Sequence, residues 1–88
     1  MSDIEQISTQ VREFVLKTFP VARKIDLTDD HPLLEEGVVD SMGILEIVGF
    51  LENELNIVLS DEDILADNFE SIGQIVQFVH SRQNVPSN

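Results

Sequence analysis

Residues 34–55 read LEEGVVDSMGILEIVGFLENEL, and this stretch decides the fold. Asp40 and Ser41 are both favourable residues for the start of a helix, and Asn56 is favourable for its end. Between them, apolar residues recur three and four positions apart, so that they share one helix face. They are Ile44, Ile47, Val48, Leu51 and Leu55. We therefore predict an amphipathic helix that buries this face in a core.

A second amphipathic helix is predicted upstream. Its apolar stripe consists of Ile4, Ile7, Val11, Phe14 and Val15. Ser2 and Glu5 have the spacing of a capping box at its start. Pro20 ends the helix, because proline disfavours the helical conformation of the preceding residue and clashes with the turn before it. We expect this helix to run from about Asp3 to Phe19.

Two further helices are predicted downstream, each with a capping box at its start. Ser60 with Asp63 begins a short helix of one or two turns, and Ser71 with Gln74 begins a longer one that ends near Ser81–Arg82. The apolar positions of the longer helix are Ile72, Ile75, Val76 and Val79.

Residues 20–40 form a connection that is long for a compact domain. It contains apolar residues along its length, and we expect it to pack against the helices. Among them are Ile25, Leu27, Leu33, Leu34, Val38 and Val39. The predicted fold is all-α, a small four-helix bundle with three main helices, a short third helix and a long first loop. We expect one domain over residues 1–82 and a disordered C-terminal tail over residues 83–88.

Composition limits the possible functions. A chain of 88 residues buries one modest core, and the absence of cysteine excludes disulfides, thiolate zinc sites and cysteine nucleophiles. No apolar run reaches the roughly 18 residues of a membrane span, and residues 1–5 lack the pattern of a signal peptide. We expect a cytoplasmic monomer that does not insert into a membrane.

The net charge is −12, and residues 25–88 contain Arg82 as their single base against fourteen acids. Such a field repels nucleic acid and attracts basic protein surfaces, so we expect no nucleic-acid partner. Taken alone, the charge is explained more simply by solubility.

The central helix has a second face that mixes apolar and acidic residues. It comprises Met42, Leu45, Glu46, Gly49, Glu52 and Asn53. An exposed face of this kind suits transient docking of a partner protein. Alternatively, Met42 and Leu45 pack beneath the long connection, and periodicity alone does not distinguish these two interpretations.

We place Ser41 at the N-cap of the central helix, where backbone N–H groups and the positive end of the helix dipole converge. This is a favourable place for a covalently attached phosphate, although most serines that begin a helix serve only as caps.

The sequence context of Ser41 resembles the attachment site of acyl carrier proteins. The resemblance begins with the run at residues 34–42 and covers nearly the whole chain. It includes the first helix, the long first loop, the acidic end of the central helix at residues 52–54, and residues 60–63 and 68–72. It implies that Ser41 carries a 4′-phosphopantetheine arm, which a phosphopantetheinyl transferase installs from coenzyme A.

The same resemblance implies a non-catalytic carrier that is a substrate of other enzymes. The thiol of the arm would hold an acyl or aminoacyl group as a thioester, loaded by an acyl- or aminoacyl-activating ligase or transferase. Asp40 and Met42 would complete the attachment motif around Ser41, with Asp40 helping to present the serine to the transferase.

The chain departs from the commonest carrier patterns in two places. Carriers of fatty acid synthesis usually have leucine and then an acid after the serine, where this chain has Met42 and Gly43. Carriers of nonribosomal peptide synthetases usually have a glycine pair where Val38 and Val39 stand. The Asp-Ser-Met-Gly run looks closer to D-alanyl carrier proteins and to stand-alone carriers of specialised pathways.

Hydrolase and calcium-site interpretations are disfavoured. A nucleophile elbow needs glycine where Val39 stands, and His31 and His80 are more simply surface residues. The spacing of an EF-hand needs Asp or Asn where Leu65 stands. The carboxylates considered for such a site are Asp61, Asp63 and Asp67.

The serious alternative to a carrier is an acidic helical protein-binding adaptor with no prosthetic group. In that protein, Ser41 would be only a helix cap.

Overall fold

The computed structural model describes residues 3–65 and 67–83. In chain order its α-helices are α1 (Asp3–Thr18), α2 (Ser41–Glu54), α3 (Asp61–Leu65) and α4 (Ile72–Gln83), with 3-10 helices at Pro20–Lys24 and Asp67–Phe69. The described part of the chain contains no strand. The prediction of an all-α, four-helix bundle with a short third helix and a long first loop is confirmed.

The core lies where the apolar stripes of α1, α2 and α4 meet. All five residues of the stripe predicted for α2 are buried. The other buried apolar side chains of these helices are those of Ile7, Val11, Val15, Ile72, Ile75, Val76, Phe78 and Val79. Each large apolar side chain buried in this way stabilises the fold by roughly 1.5–3 kcal/mol. Burial of one face of α2 fixes which other face points outward.

Proline and asparagine end the two longest helices, as the sequence predicts. Phe19 precedes Pro20 and has an extended backbone (φ −114°, ψ 107°), so α1 ends at Thr18, one residue earlier than expected. Asn56 has a left-handed backbone (φ 56°), and the Ile57 N–H donates to the Leu51 carbonyl at 3.2 Å. The predicted partner of Glu5, Ser2, lies outside the described residues.

Side-chain caps begin α3 and α4. The Ser60 and Asp63 side chains each accept from the other residue's backbone N–H, at 3.2 and 3.0 Å, which completes the predicted capping box. The Ser71 hydroxyl accepts from the Gln74 N–H at 3.2 Å. Helix α4 includes Gln83, one residue more than expected, and the rest of the predicted tail, residues 84–88, lies outside the described residues.

The long connection between α1 and α2 folds around the fully buried side chain of Leu33. Leu33 is buried, and its carbonyl accepts from the N–H groups of both Val38 and Val39, at 2.9 and 3.1 Å. Gly37 makes the turn possible with φ of +73°, a conformation that favours glycine. The expected packing of the connection is confirmed for these residues and for Leu27. It is wrong for Ile25 and Leu34, which are exposed.

Hydrogen bonds tie the connection to α1 and α4. The Arg12 guanidinium donates to the Leu27 carbonyl at 2.6 Å and pairs with the Asp29 carboxylate. The Gly73 N–H donates to the Asp29 carbonyl at 2.7 Å, and the Leu33 N–H donates to the Glu70 carbonyl at 2.9 Å. These hydrogen bonds hold the connection in place and so fix the position of Asp40 at the start of α2.

The N-terminus and outer face of helix α2 as the candidate functional site

Asp40, not Ser41, caps helix α2. Asp40 has an extended backbone (φ −98°, ψ −176°), and its Oδ1 accepts from the Gly43 N–H at 2.7 Å. Ser41 is the first helical residue, so its predicted N-cap position is wrong by one residue. The physical reason is that the longer Asp40 side chain reaches the third amide of the helix and satisfies it. This leaves the serine hydroxyl without a capping role.

Ser41 is exposed in the first turn of α2. Within the described part of the chain, its hydroxyl has no hydrogen-bond partner, so neither described histidine is hydrogen-bonded to it as the base of a hydrolytic nucleophile would be. The hydroxyl lies at the positive end of the helix dipole, which favours a phosphate group attached there. The site therefore fits a phosphate ester on Ser41: the oxygen is accessible, and the field beside it suits an anion.

The outer face of α2 is open. Met42 and Leu45 retain 69% and 54% of their accessible surface, so the alternative in which they pack beneath the long connection is wrong. Glu46, Glu52 and Asn53 are exposed as well. We call these five residues together with Gly49 the α2 outer face.

Gly49 lies at the centre of the α2 outer face and makes it shallow. A Cβ built on Gly49 would meet no atom within 4 Å, apart from its own helix backbone and chain neighbours. The space above this residue is therefore open, and nothing in the fold requires glycine there. The exposed apolar side chains and the acids surround this shallow point.

Gly43 is enclosed, in contrast to Gly49. A Cβ on Gly43 would lie 2.7 Å from Val39 Cγ1 and 2.8 Å from Phe19 Cε1, closer than real Cβ contacts allow. The sequence shows Gly43 as a departure from a family pattern but does not reveal its proximity to Phe19. The available signal was a glycine in the first turn of a helix, where glycine is otherwise unfavourable.

The described residues contain no group of three or more His, Cys, Asp or Glu side chains placed to hold a metal ion. Asp63, one of the carboxylates considered for calcium, is engaged instead by the Ser60 N–H and by Arg82 at 2.5 Å. In the same part of the chain, no helix has both the length and the apolar character needed to cross a bilayer.

Comparisons with known proteins agree on one family. The family described as "Phosphopantetheine attachment site" matches residues 9–79. An acyl carrier protein of Cyanidium caldarium is 30% identical over 84 residues, covering 96% of this chain and 94% of that protein. An acyl carrier protein of Clostridium perfringens strain 13 is 30% identical over 64 residues, 67% of this chain and 82% of that protein. A D-alanyl carrier protein of Streptococcus pyogenes serotype M1 is 29% identical over 76 residues, 84% of this chain and 96% of that protein.

Proposed function

The chain belongs to the phosphopantetheine attachment site family, and on that premise we propose that Ser41 is the modified residue of a carrier protein. The prosthetic group of the family is 4′-phosphopantetheine, attached covalently. When bound, it supplies a terminal thiol that holds an acyl or aminoacyl group as a thioester. The proposal rests on one observation above all: Ser41 is an exposed first-turn serine whose hydroxyl no other described residue engages.

The chain's own part in the modification is to present an oxygen. Asp40 holds the first turn of α2 through the Gly43 N–H, so the Ser41 oxygen is offered in a fixed helical geometry. In the transfer, this oxygen forms the new bond to phosphorus as the diphosphate bond of coenzyme A breaks and 3′,5′-ADP leaves. The hydroxyl proton leaves to a base of the transferase, because no described residue is hydrogen-bonded to the Ser41 hydroxyl.

The α2 outer face is the surface on which we propose that partner enzymes dock. It runs down the helix from Ser41, so an enzyme that reaches the modified serine approaches along it. Exposed Met42 and Leu45 offer apolar contact, while Glu46 and Glu52 steer a basic partner and speed its encounter. The partners of such a carrier are a phosphopantetheinyl transferase and an acyl- or aminoacyl-activating ligase or transferase.

We propose a specialised acyl or aminoacyl cargo and not the cargo of housekeeping fatty acid synthesis. Met42 and Gly43 support this, because the Asp-Ser-Met-Gly run is similar to that of D-alanyl carriers, and one relative bears that name. The enclosed position of Gly43 explains why no acidic side chain follows Met42, since a Cβ there would lie 2.8 Å from Phe19 Cε1. The cytoplasmic location and the monomeric state stay predictions.

An intact-mass measurement tests the carrier function. The protein is incubated with coenzyme A and a broad-specificity phosphopantetheinyl transferase, and its mass is expected to rise by one phosphopantetheine group. Because the chain contains no cysteine, one titratable thiol per chain should appear at the same time. A mass that stays unchanged, with no thiol, contradicts the proposal and favours the acidic adaptor.

A further inference from the structure

The first turn of α2 is held from two sides at Gly43. On one side the Gly43 N–H donates to Asp40 Oδ1 at 2.7 Å. On the other side the Phe19 ring and the Val39 side chain occupy the volume that a Cβ would fill, with Phe19 Cε1 2.8 Å from the built Cβ position. Gly43 is two residues from Ser41, so both contacts act on the turn that presents the serine.

The Phe19 ring is itself held in place. Its ring lies edge-on to Phe14 at a centroid distance of 6.3 Å, and Phe14 stacks on Phe50 of α2 at 4.4 Å. The Phe19 backbone is fixed as well, because its N–H donates to the Val15 carbonyl at 3.0 Å and its carbonyl accepts from Ala22 at 3.0 Å. The end of α1 therefore places a defined aromatic ring against the first turn of α2.

We propose that Phe19 and Gly43 are a matched pair of positioning residues for the modification of Ser41, a role that rests on the proposed function above. The ring seated on Gly43 sets the distance between the end of α1 and the first turn of α2. Even a methyl group at position 43 must displace the ring, Val39 or the turn itself, because the clearances are below 3 Å. Displacement of the turn moves the Ser41 oxygen relative to the transferase.

The pair acts through Ser41 and not by contact with the transferred group, so it should affect turnover more than affinity. Gly43 is buried, and Phe19 is only partly exposed beneath the turn, whereas Met42 and Leu45 present the exposed contacts. A displacement of about 1 Å at a reacting atom costs up to about a hundredfold in rate. We therefore expect Gly43→Ala to lower the kcat of transferase modification by roughly tenfold with a much smaller change in KM.

A double-mutant cycle tests the pairing. Gly43→Ala, Phe19→Leu and the double variant are each modified by the transferase with coenzyme A, well below the melting temperature of every variant. Each single change should lower kcat. Gly43→Ala fills the space that the Phe19 ring occupies, and Phe19→Leu removes the ring. The double variant should lose less than the product of the two single losses, because the residues act as a unit.

The control is Val76→Ala, a buried change in α4, which should lower the melting temperature without lowering kcat. Multiplicative losses in the cycle, or unchanged kcat in both single variants, would overturn the pairing. If Gly43→Ala does not fold, Phe19→Leu alone decides: unchanged kcat overturns the proposal. A wild-type protein that gains no mass refutes the proposed function itself, which is a different result.

Discussion

At the residue scale, Asp40 and Ser41 are neighbours in different environments. Asp40 satisfies the Gly43 amide, whereas the Ser41 hydroxyl engages no described residue. Asp40→Ala should therefore lower the free energy of unfolding by about 1 kcal/mol, and Ser41→Ala should change it by only a few tenths. Urea unfolding of both variants measures this difference.

Asp40→Asn is the matched control for the cap, because asparagine keeps an oxygen that can accept from Gly43 and should retain most of the stability. The sequence predicts Ser41 at the N-cap, whereas the structure assigns the cap to Asp40, so the cost of losing the cap is expected at Asp40. A loss on Ser41→Ala as large as that on Asp40→Ala would contradict the assignment of the cap to Asp40.

At the scale of helix α2, apolar contact and charge on the outer face should separate experimentally. Glu46→Lys should raise the KM of the transferase more at low salt than at high salt, because salt screens the steering field. Leu45→Ala should raise KM with little salt dependence, since it removes apolar contact. Transferase kinetics at two ionic strengths measures both effects. Gly49→Arg should also raise KM, because its side chain fills the open space where the partner would dock.

Stability measurements on the same variants distinguish docking from folding. Leu45 is 54% exposed, so Leu45→Ala should leave the free energy of unfolding within about 0.5 kcal/mol of the wild type. A loss of about 2–5 kcal/mol, which is typical of a core leucine, would show that Leu45 stabilises the fold and would remove it from the docking surface.

Helix α3 is held to α4 by an ion pair that should respond to pH. The Ser60 backbone N–H, assisted by the Ser60 hydroxyl and by Arg82, lowers the pKa of Asp63, while burial opposes this shift. A lowered folded-state pKa means that the stabilisation is complete above the unfolded pKa of about 3.9 and is lost as pH falls through the folded value. The difference in stability between wild type and Asp63→Asn should therefore shrink on acidification.

Urea midpoints of the wild type and Asp63→Asn at mildly acidic and strongly acidic pH measure this difference. Asp61→Asn is the charge-matched control on the same helix, because Asp61 makes no bond to Ser60 or Arg82. A difference for Asp63→Asn that is independent of pH, or no larger than that for Asp61→Asn, would contradict a stabilising role of the Asp63 carboxylate with Ser60 and Arg82.

At the scale of the whole molecule, the dominant feature is a net charge of −12 on a small domain. The acids repel one another, and salt screens that repulsion over a Debye length of about 10 Å at 0.1 M. The melting temperature should therefore rise between low and moderate NaCl, and rise further with a divalent cation. A flat or falling melting temperature would show that repulsion does not limit the stability of the fold.

The sequence predicts those structural features that depend on residues close together in the chain. The α2 stripe, the turn at Asn56 and the capping box of Ser60 with Asp63 each depend on residues within a few positions of one another. The 3-10 helix at Pro20–Lys24 was not predicted, because five residues give no repeated period to recognise.

Contacts between distant residues were missed for a different reason. Arg12 reaches Leu27 across 15 positions, and Phe19 meets Gly43 across 24, so only the tertiary arrangement brings them together. The same limit applies at the candidate site. The residues that give Ser41 its chemistry are neighbours in the sequence, but the turn that carries it packs against Phe19, the residue that follows α1.

Peptide mapping of the modified protein tests the central claim most directly. After incubation with coenzyme A and the transferase, tandem mass spectrometry should locate one phosphopantetheine group on Ser41, and Ser41→Ala, which should fold normally, should gain no mass. An arm located on another residue, or a mass gain in folded Ser41→Ala, would contradict the assignment of Ser41 as the attachment site.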